Sequence, residues 1–218
     1  CETYTASSYS RIHWDGTAFA ITSGKENHPM LEVSWFGSAA YANWRSTQHG
    51  RQASYNLSTW DCDFSKNGYR LLTEAEWEYV ARGGLQYYKY PWGNDIDGSN
   101  ANYWYSGDPY ETGSYPWTTP VRYYNGSQTP PGSNMANGYG LYDVAGNVWE
   151  WCNDWYDSGY YGVSPYSNPR GPTSGTYRVV RGGSWNHYGS ALRCANRHYS
   201  GPDGRNYGLG LRLALDSE

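Results

Sequence analysis

A chain of 218 residues with a net charge of −4 and no basic run lacks the electrostatic footprint of a nucleic-acid binder. No apolar stretch approaches the roughly 20 residues that a membrane-spanning helix needs. Only 38% of the residues are hydrophobic, and 25 Tyr and 12 Trp stand against 3 Phe, so much of the apolar area carries a polar tip suited to cores and contact surfaces alike.

In chain order, residues 1–30 are polar and end in a loop over Lys25-Glu-Asn-His-Pro29, and Met30-Leu-Glu-Val-Ser34 is predicted as a short strand. Ser34 then serves as N-cap of a helix with Trp35, Ala39, Tyr41 and Ala42 at helical spacings, followed by a polar segment from Arg45 to Gly68. Thr73 with Glu76 three residues on forms a capping box, and that helix runs through Trp77, Val80 and Ala81 to a stop at Gly83-Gly84. Residues 85–175 show no sustained period. So long an irregular stretch suits a compact domain only if aromatics and bound ions replace regular hydrogen-bonded elements. Tyr177-Arg-Val-Val-Arg181 reads as a strand broken by Gly182-Gly183. Ala191-Leu-Arg-Cys-Ala-Asn-Arg197 and Gly210-Leu-Arg-Leu-Ala-Leu215 alternate like two further strands, expected to be antiparallel. Loops over residues 185–190 and 198–208 lie between them.

The four cysteines, Cys1, Cys62, Cys152 and Cys194, allow three disulfide pairings if all are oxidised, and none belongs to a C-x-x-C motif. The five histidines have no ligand spacing, and His13 and His49 read as surface residues. The chain opens without a secretory leader, consistent with a cytoplasmic, a processed or a trimmed protein. Few lysines, abundant Tyr, Trp, Asn and Gly, and glycosylation-type triplets at Asn56 and Asn125 lean towards an exported one.

The densest chemistry lies in residues 137–151, where three glycines, four aromatics and two carboxylates share fifteen positions. Glycines admit positive φ, and Asp143, Asn147 and Glu150 offer hard oxygens to a cation such as calcium. A tight turn on an aromatic core and a calcium-bearing loop both satisfy this pattern.

Several segments together resemble the formylglycine-generating enzyme (sulfatase-modifying factor) family. They are His28-Pro-Met-Leu-Glu-Val-Ser-Trp35, Tyr69-Arg-Leu-Leu-Thr-Glu-Ala-Glu-Trp-Glu-Tyr-Val-Ala-Arg-Gly-Gly84, Pro91-Trp-Gly-Asn94, residues 137–151, Val180-Arg-Gly-Gly-Ser-Trp185, Arg193-Cys-Ala-Asn-Arg197 and Gly210-Leu-Arg212. Order and approximate spacing agree from residue 28 to the C-terminus. The resemblance implies an α+β, C-type-lectin-like fold with little regular secondary structure. The family's Gly-x-Phe-x-Met-Gly start has no counterpart in residues 1–27. The single domain, 1–218, is therefore expected to lack an N-terminal strand and helix.

The resemblance also carries chemistry. Oxidases of the family hold copper between two cysteines, one three residues after the Ser of Gly-Gly-Ser and one five further on. Here His187 stands at the first position and the shorter region leaves no second thiol, while Cys194 matches a structural position. One thiol cannot replace the pair that holds Cu(I), so neither copper nor oxidase activity is expected. Structural calcium is implied at Asp143, the carbonyls of Gly146 and Val148, and Glu150. A second family calcium falls on Asn102-Tyr103, but residues 113–115 carry no acid where one is needed, with Asp108 or Glu111 as substitutes.

A subgroup of this fold consists of ligand-display proteins diversified by retroelements between Gly-Gly-Ser-Trp and the last strand. The similar region here offers Trp185, Asn186, His187, Tyr188, Asn196, His198, Tyr199, Asp203, Asn206 and Tyr207 as contacts for a protein or glycan ligand. Solvated loops without a ligand are the plain alternative. The sugar-binding Glu-Pro-Asn and Gln-Pro-Asp triplets are absent, as are the Gly-x-Ser-x-Gly elbow, the phosphate-cradling loop and the His-Glu-x-x-His helix. The leading expectation is a non-catalytic binding protein, secreted or on a bacterial cell surface. A self-associating structural or fibre subunit comes second, and a formylglycine-generating oxidase third.

Overall fold

A computed structural model describes residues 6–216 of the chain. The first helix, α1 (Trp35–Gln48), begins as its cap requires: Ser34 sits in extended conformation and its hydroxyl accepts from Gly37 N at 3.0 Å. The helix runs four residues into the segment read as polar, because Ser46 and Thr47 hydrogen-bond back to the Ala42 and Asn43 carbonyls. Small residues on its buried face (Ser38, Ala39, Ala42) let α1 approach β3 (Arg70–Leu71) closely.

The second helix, α2 (Glu74–Arg82), carries the full reciprocal box. Glu76 N donates to Thr73 Oγ1 at 3.2 Å and Thr73 N to Glu76 Oε2 at 2.8 Å. Gly83 ends it in the left-handed region at φ 56°.

The central sheet has four strands in the order β6-β5-β4-β7, where β4 is Trp149–Trp155, β5 Arg178–Arg181, β6 His198–Ser200 and β7 Leu209–Leu211. The hairpin β1 (Ile12–Trp14) with β2 (Phe19–Ile21) and the pair β3 with β8 (Leu213–Ala214) are separate two-stranded ladders. The result is α+β with short elements and long irregular connections, as the resemblance implies.

Several sequence expectations are corrected. Residues 30–34 form no strand; Leu31 and Val33 are buried, but Glu32 adopts a positive φ of 56°, which breaks an extended ladder. Residues 191–197 are not a strand either. Leu192 and Cys194 point inward and Arg193 and Ala195 outward, so the alternation is real, yet the chain forms a short 3-10 turn (Gly189–Leu192) and then bends. The strand lies one step further, at β6. Residues 210–215 split into β7 and β8, and β7 runs parallel to β4, because an apolar period does not encode strand direction. Missed altogether was β4, buried along almost its whole length on both faces and so without a period of two. Cys62, Cys152 and Cys194 are free thiols, so no disulfide is present among the described residues; Cys1 lies outside them.

Four indoles hold the core together. Trp35, Trp77, Trp151 and Trp185 are essentially fully buried, and each indole N–H finds an acceptor: the Cys152 carbonyl, Glu150 Oε2, the Val33 carbonyl and the Tyr207 carbonyl, at 2.8–3.0 Å. Each such ring contributes roughly 4–6 kcal/mol of gross burial, from about 150–250 Å² of area. Trp77 and Trp185 thereby bind β4 and the C-terminal loop to the rest of the molecule.

Candidate functional site: the C-terminal face and the Asp143 loop

The loop from residue 137 to β4 is built by its own side chains. Asn137 Nδ2 donates to the Val80 and Ala81 carbonyls at the end of α2, and Asp143 and Asn147 adopt positive φ of 56° and 64°. The Asn147 amide clamps Thr119, accepting from its N–H at 3.1 Å and donating to its carbonyl at 3.2 Å. Asn147 is therefore a backbone strut and not the free cation ligand its sequence position offers.

Asp143, Val148 and Glu150 line one cavity of about 350 Å³ together with Arg122 and Arg212. Asp143 Oδ2 accepts from Arg122 N at 2.6 Å. Burial, with too little counter-charge nearby, pushes the Asp143 carboxyl up to about 6. Glu150 is engaged on both oxygens, by the Arg212 guanidinium at 2.7–3.0 Å and by Trp77 Nε1 at 2.8 Å. The Gly146 carbonyl accepts from Val148 N. Among the described residues no three His, Cys, Asp or Glu side chains gather into a metal-binding group. A calcium ion here would rest on two carboxylates and backbone carbonyls and would share Glu150 with Arg212. The donors fit in kind: hard oxygens, including the half-buried Asp143 carboxyl, which forms no ion pair among the described residues.

Asn102 is buried beside this loop. Its Nδ2 donates to the Trp117 carbonyl at 2.7 Å, its own carbonyl accepts from Asn147 N, and its Oδ1 has no partner among the described residues. The substitute acids are engaged elsewhere: Asp108 with Ser106, Tyr110 and Tyr124, and Glu111 with the Tyr105 and Gly107 amides.

Where a copper thiolate would stand, the chain places a neutral polar cluster. Ser184 is fully buried after the Gly182-Gly183 turn; its Oγ donates to Asn186 Oδ1 at 2.6 Å and lies 2.9 Å from His187 Nδ1. Trp149 Nε1 is 3.4 Å from the same ring nitrogen. Burial, aided by His198, lowers the His187 pKa and keeps the imidazole neutral. Burial also pushes the Cys194 thiol up to about 11 and raises the Cys152 thiol, so neither carries thiolate character at neutral pH.

The C-terminal loops bring some of the ten candidate contact residues together. Trp149 is the hinge, with His187 and His198 each 5.4 Å from its ring. His198 stacks on Tyr199, which meets Tyr156 at 4.5 Å and Tyr177 at 4.8 Å. Tyr199 is 42% exposed and Tyr188 69%, while Asn186 and His187, next to Tyr188 in sequence, are half-buried. Tyr207, half-buried, packs on Trp185 and on Tyr9. Asn206 and Asp203 are exposed; Asn206 Oδ1 accepts from Gly208 N.

Two candidates are scaffold. Trp185, 1% exposed, packs against Tyr115, Trp117 and Tyr207, and Asn196 offers its carbonyl to Arg181. Sequence reasoning overlooked Tyr156 and Tyr177, which lie just after β4 and just before β5 and extend the aromatic surface. Trp104 and Tyr115 also escaped it, and Trp104 N donates to the His187 carbonyl.

Comparisons with known proteins agree with this architecture. The chain is 37% identical over 215 residues to the formylglycine-generating enzyme of Streptomyces coelicolor, covering 94% of this chain and 59% of that protein. It is 39% identical over 207 residues to the serine/threonine-protein kinase pkn1 of Chlamydia caviae, again over 94% of this chain but only 27% of the kinase. It thus spans between about a quarter and three fifths of the length of these two relatives. Among solved structures, Treponema denticola variable protein 1 superposes with a TM-score of 0.69 at 28% identity, over 94% of this chain and 77% of that one. The family model described as sulfatase-modifying factor enzyme 1-like matches residues 4–217, and the chain belongs to that family.

Proposed function

We propose that this chain is a non-catalytic binding module that presents Asn186, His187, Tyr188, His198, Tyr199, Asn206 and Tyr207 to a protein or glycan ligand, secreted or on a cell surface. The observation that carries the reading is a neutral His187 at the first thiolate position, held by the buried motif serine Ser184 and next to exposed aromatic rings. Rigid tyrosines give contact area at little cost in rotamer freedom, and asparagines beside them supply adaptable hydrogen bonds. Similarity to a variable protein at 28% identity supports this use of the fold, and similarity to a formylglycine-generating enzyme supports the oxidase as its competitor. Structural calcium at Asp143, Gly146, Val148 and Glu150 is part of the proposal, and copper is not.

One paired experiment decides between them. The purified protein is incubated with copper, oxygen and a Cys-x-Pro-x-Arg peptide, and separately screened against glycan and surface-protein arrays as wild type and as Tyr188→Ala/Tyr199→Ala. The expected result is an unmodified peptide and a ligand lost in the double variant. Aldehyde formation on the peptide overturns the non-catalytic reading, and a ligand retained undiminished by the double variant overturns the assigned face.

A further inference from the structure

Arg178 takes part in neither site, yet among the buried arginines of the described residues it is the one without an ion pair. Only 6% exposed, it projects from β5 between two indoles, its guanidinium carbon 3.7 Å from the Trp35 ring centroid and 3.5 Å from that of Trp155. Both faces of the planar cation are covered, so only its edges can make hydrogen bonds. One edge is engaged, Nη1 donating to the Asn153 carbonyl. The other edge, Nε with Nη2, meets no acceptor among the described residues, and Nε is enclosed. The remaining buried arginines each face carboxylates: Arg70 meets Glu76 and Asp216, and Arg181 meets Glu74 and Glu78. Arg178 forms no such ion pair among the described residues, and burial lowers its pKa to about 10.

The side chain lines a cavity of about 200 Å³ shared with Trp60, Asp61, Asn153, Thr173 and Arg170. Asn153 Oδ1 already accepts from the Tyr55 hydroxyl at 3.0 Å, so its amide N–H groups are what it can offer a ligand. Arg170 stacks on Phe64 at 4.1 Å. Two guanidinium groups against one Asp61 carboxylate give the lining a net charge of +1. That charge matches a monoanion better than a phosphate or sulfate dianion. The open Nη2, with its two N–H donors, can hydrogen-bond a carboxylate oxygen, and the positive lining matches its charge.

We propose that this cavity binds a carboxylate, from a small organic acid or a peptide C-terminus, on the unengaged Nη2 of Arg178. Asn153 and Thr173 supply further donors, and Trp60 and Trp155 flank the apolar part of the ligand.

The test follows the Arg178 Nε–H resonance in ¹⁵N spectra of the whole chain during titration. The probes are acetate, acetamide, sodium chloride, sodium sulfate, and a short peptide as free acid and as C-terminal amide. Acetate and the free-acid peptide should shift the resonance saturably, while acetamide and the peptide amide leave it in place. Tighter binding of the peptide acid than of acetate assigns the source as a chain terminus; equal or weaker binding assigns it as a small acid. Arg178→Lys keeps the charge but loses Nη2 and its planar geometry and should weaken binding about tenfold, read from tryptophan fluorescence. Arg170→Gln, at an exposed position, should weaken it by about threefold. A resonance unmoved by carboxylates, or moved equally by chloride or sulfate, overturns the proposal. So does acetate affinity unchanged in Arg170→Gln, the variant that stays informative if Arg178→Lys fails to fold.

Discussion

At the scale of single residues, two carboxyls, the half-buried Asp143 and the buried Asp154, make stability depend on pH in an unusual direction. Burial raises Asp143 to about 6 and Asp154 to about 7, whereas in the unfolded chain both titrate near 4. Between about pH 4 and pH 7 the folded chain therefore holds more protons than the unfolded one. Stability from these groups is full at the acid end and is lost as pH rises through the folded values. His28 works the other way: burial, then Arg11 and Lys25, lower it to about 4, so its neutral form favours the fold above the ordinary histidine range and that contribution falls as pH drops towards 4. Subtracting a variant isolates one carboxyl from this mixture. In Asp143→Asn, the melting temperature without calcium should rise relative to wild type between pH 4 and pH 7, because the variant has no proton to lose. A wild-type-minus-variant difference that stays flat over this range would show that Asp143 titrates normally. Asp154 has a plain structural purpose, since its Oδ2 accepts from Glu74 N at 2.8 Å and so serves the first turn of α2.

At the scale of elements, α2 is the best test of local code. Thr73→Ala removes the hydroxyl that accepts from Glu76 N and should cost about 1 kcal/mol in urea unfolding, with an unchanged slope. Gly83→Ala should cost more than the cap, by about 1–3 kcal/mol. A Cβ there would lie 2.7 Å from Gly138 N on a backbone held at φ 56°, so strain and collision act together. A loss for Gly83→Ala smaller than for Thr73→Ala would mean that the 137–138 turn yields. These two positions were legible because cap and stop are local signals. Strand β4 was not, since Trp149–Trp155 is buried on both faces and its hydrogen bonds come from Arg178–Arg181 and Leu209–Leu211, far along the chain. The same limit affected the site. The positions of Asp143 and His187 could be picked out from motifs, whereas the use of Asn147 as a backbone clamp and the burial of Trp185 could not. Neither could the arrival of Tyr156 and Tyr177 at Tyr199, because each depends on which strand lies beside which.

At the scale of the whole molecule, 25 Tyr and 12 Trp stand in for the long regular elements the described residues lack, and the Asp143 loop is one place where the packing holds a carboxyl above its ordinary pKa. Residues 143–150 tie together β4, the Thr119 segment and, through the Asn147 carbonyl, Trp185 N at the start of the C-terminal face. A cation bound here would stabilise this junction as a unit, because it binds the folded chain and not the unfolded one. At a calcium concentration one hundred times the dissociation constant the gain is about 2.7 kcal/mol, or roughly 5–10 °C in melting temperature for a chain of this length. Chelator should reverse the shift in the wild type and have no effect in Asp143→Asn. Glu150→Gln is the sharper variant: it also leaves Arg212 without its carboxylate, so it should melt lower than wild type even in chelator and gain nothing from calcium. A chelator-insensitive wild type would leave the Glu150–Arg212 pair as the whole of the loop's electrostatics and would overturn the calcium proposal. Equal calcium shifts in the wild type and both variants would place the ion elsewhere on the molecule.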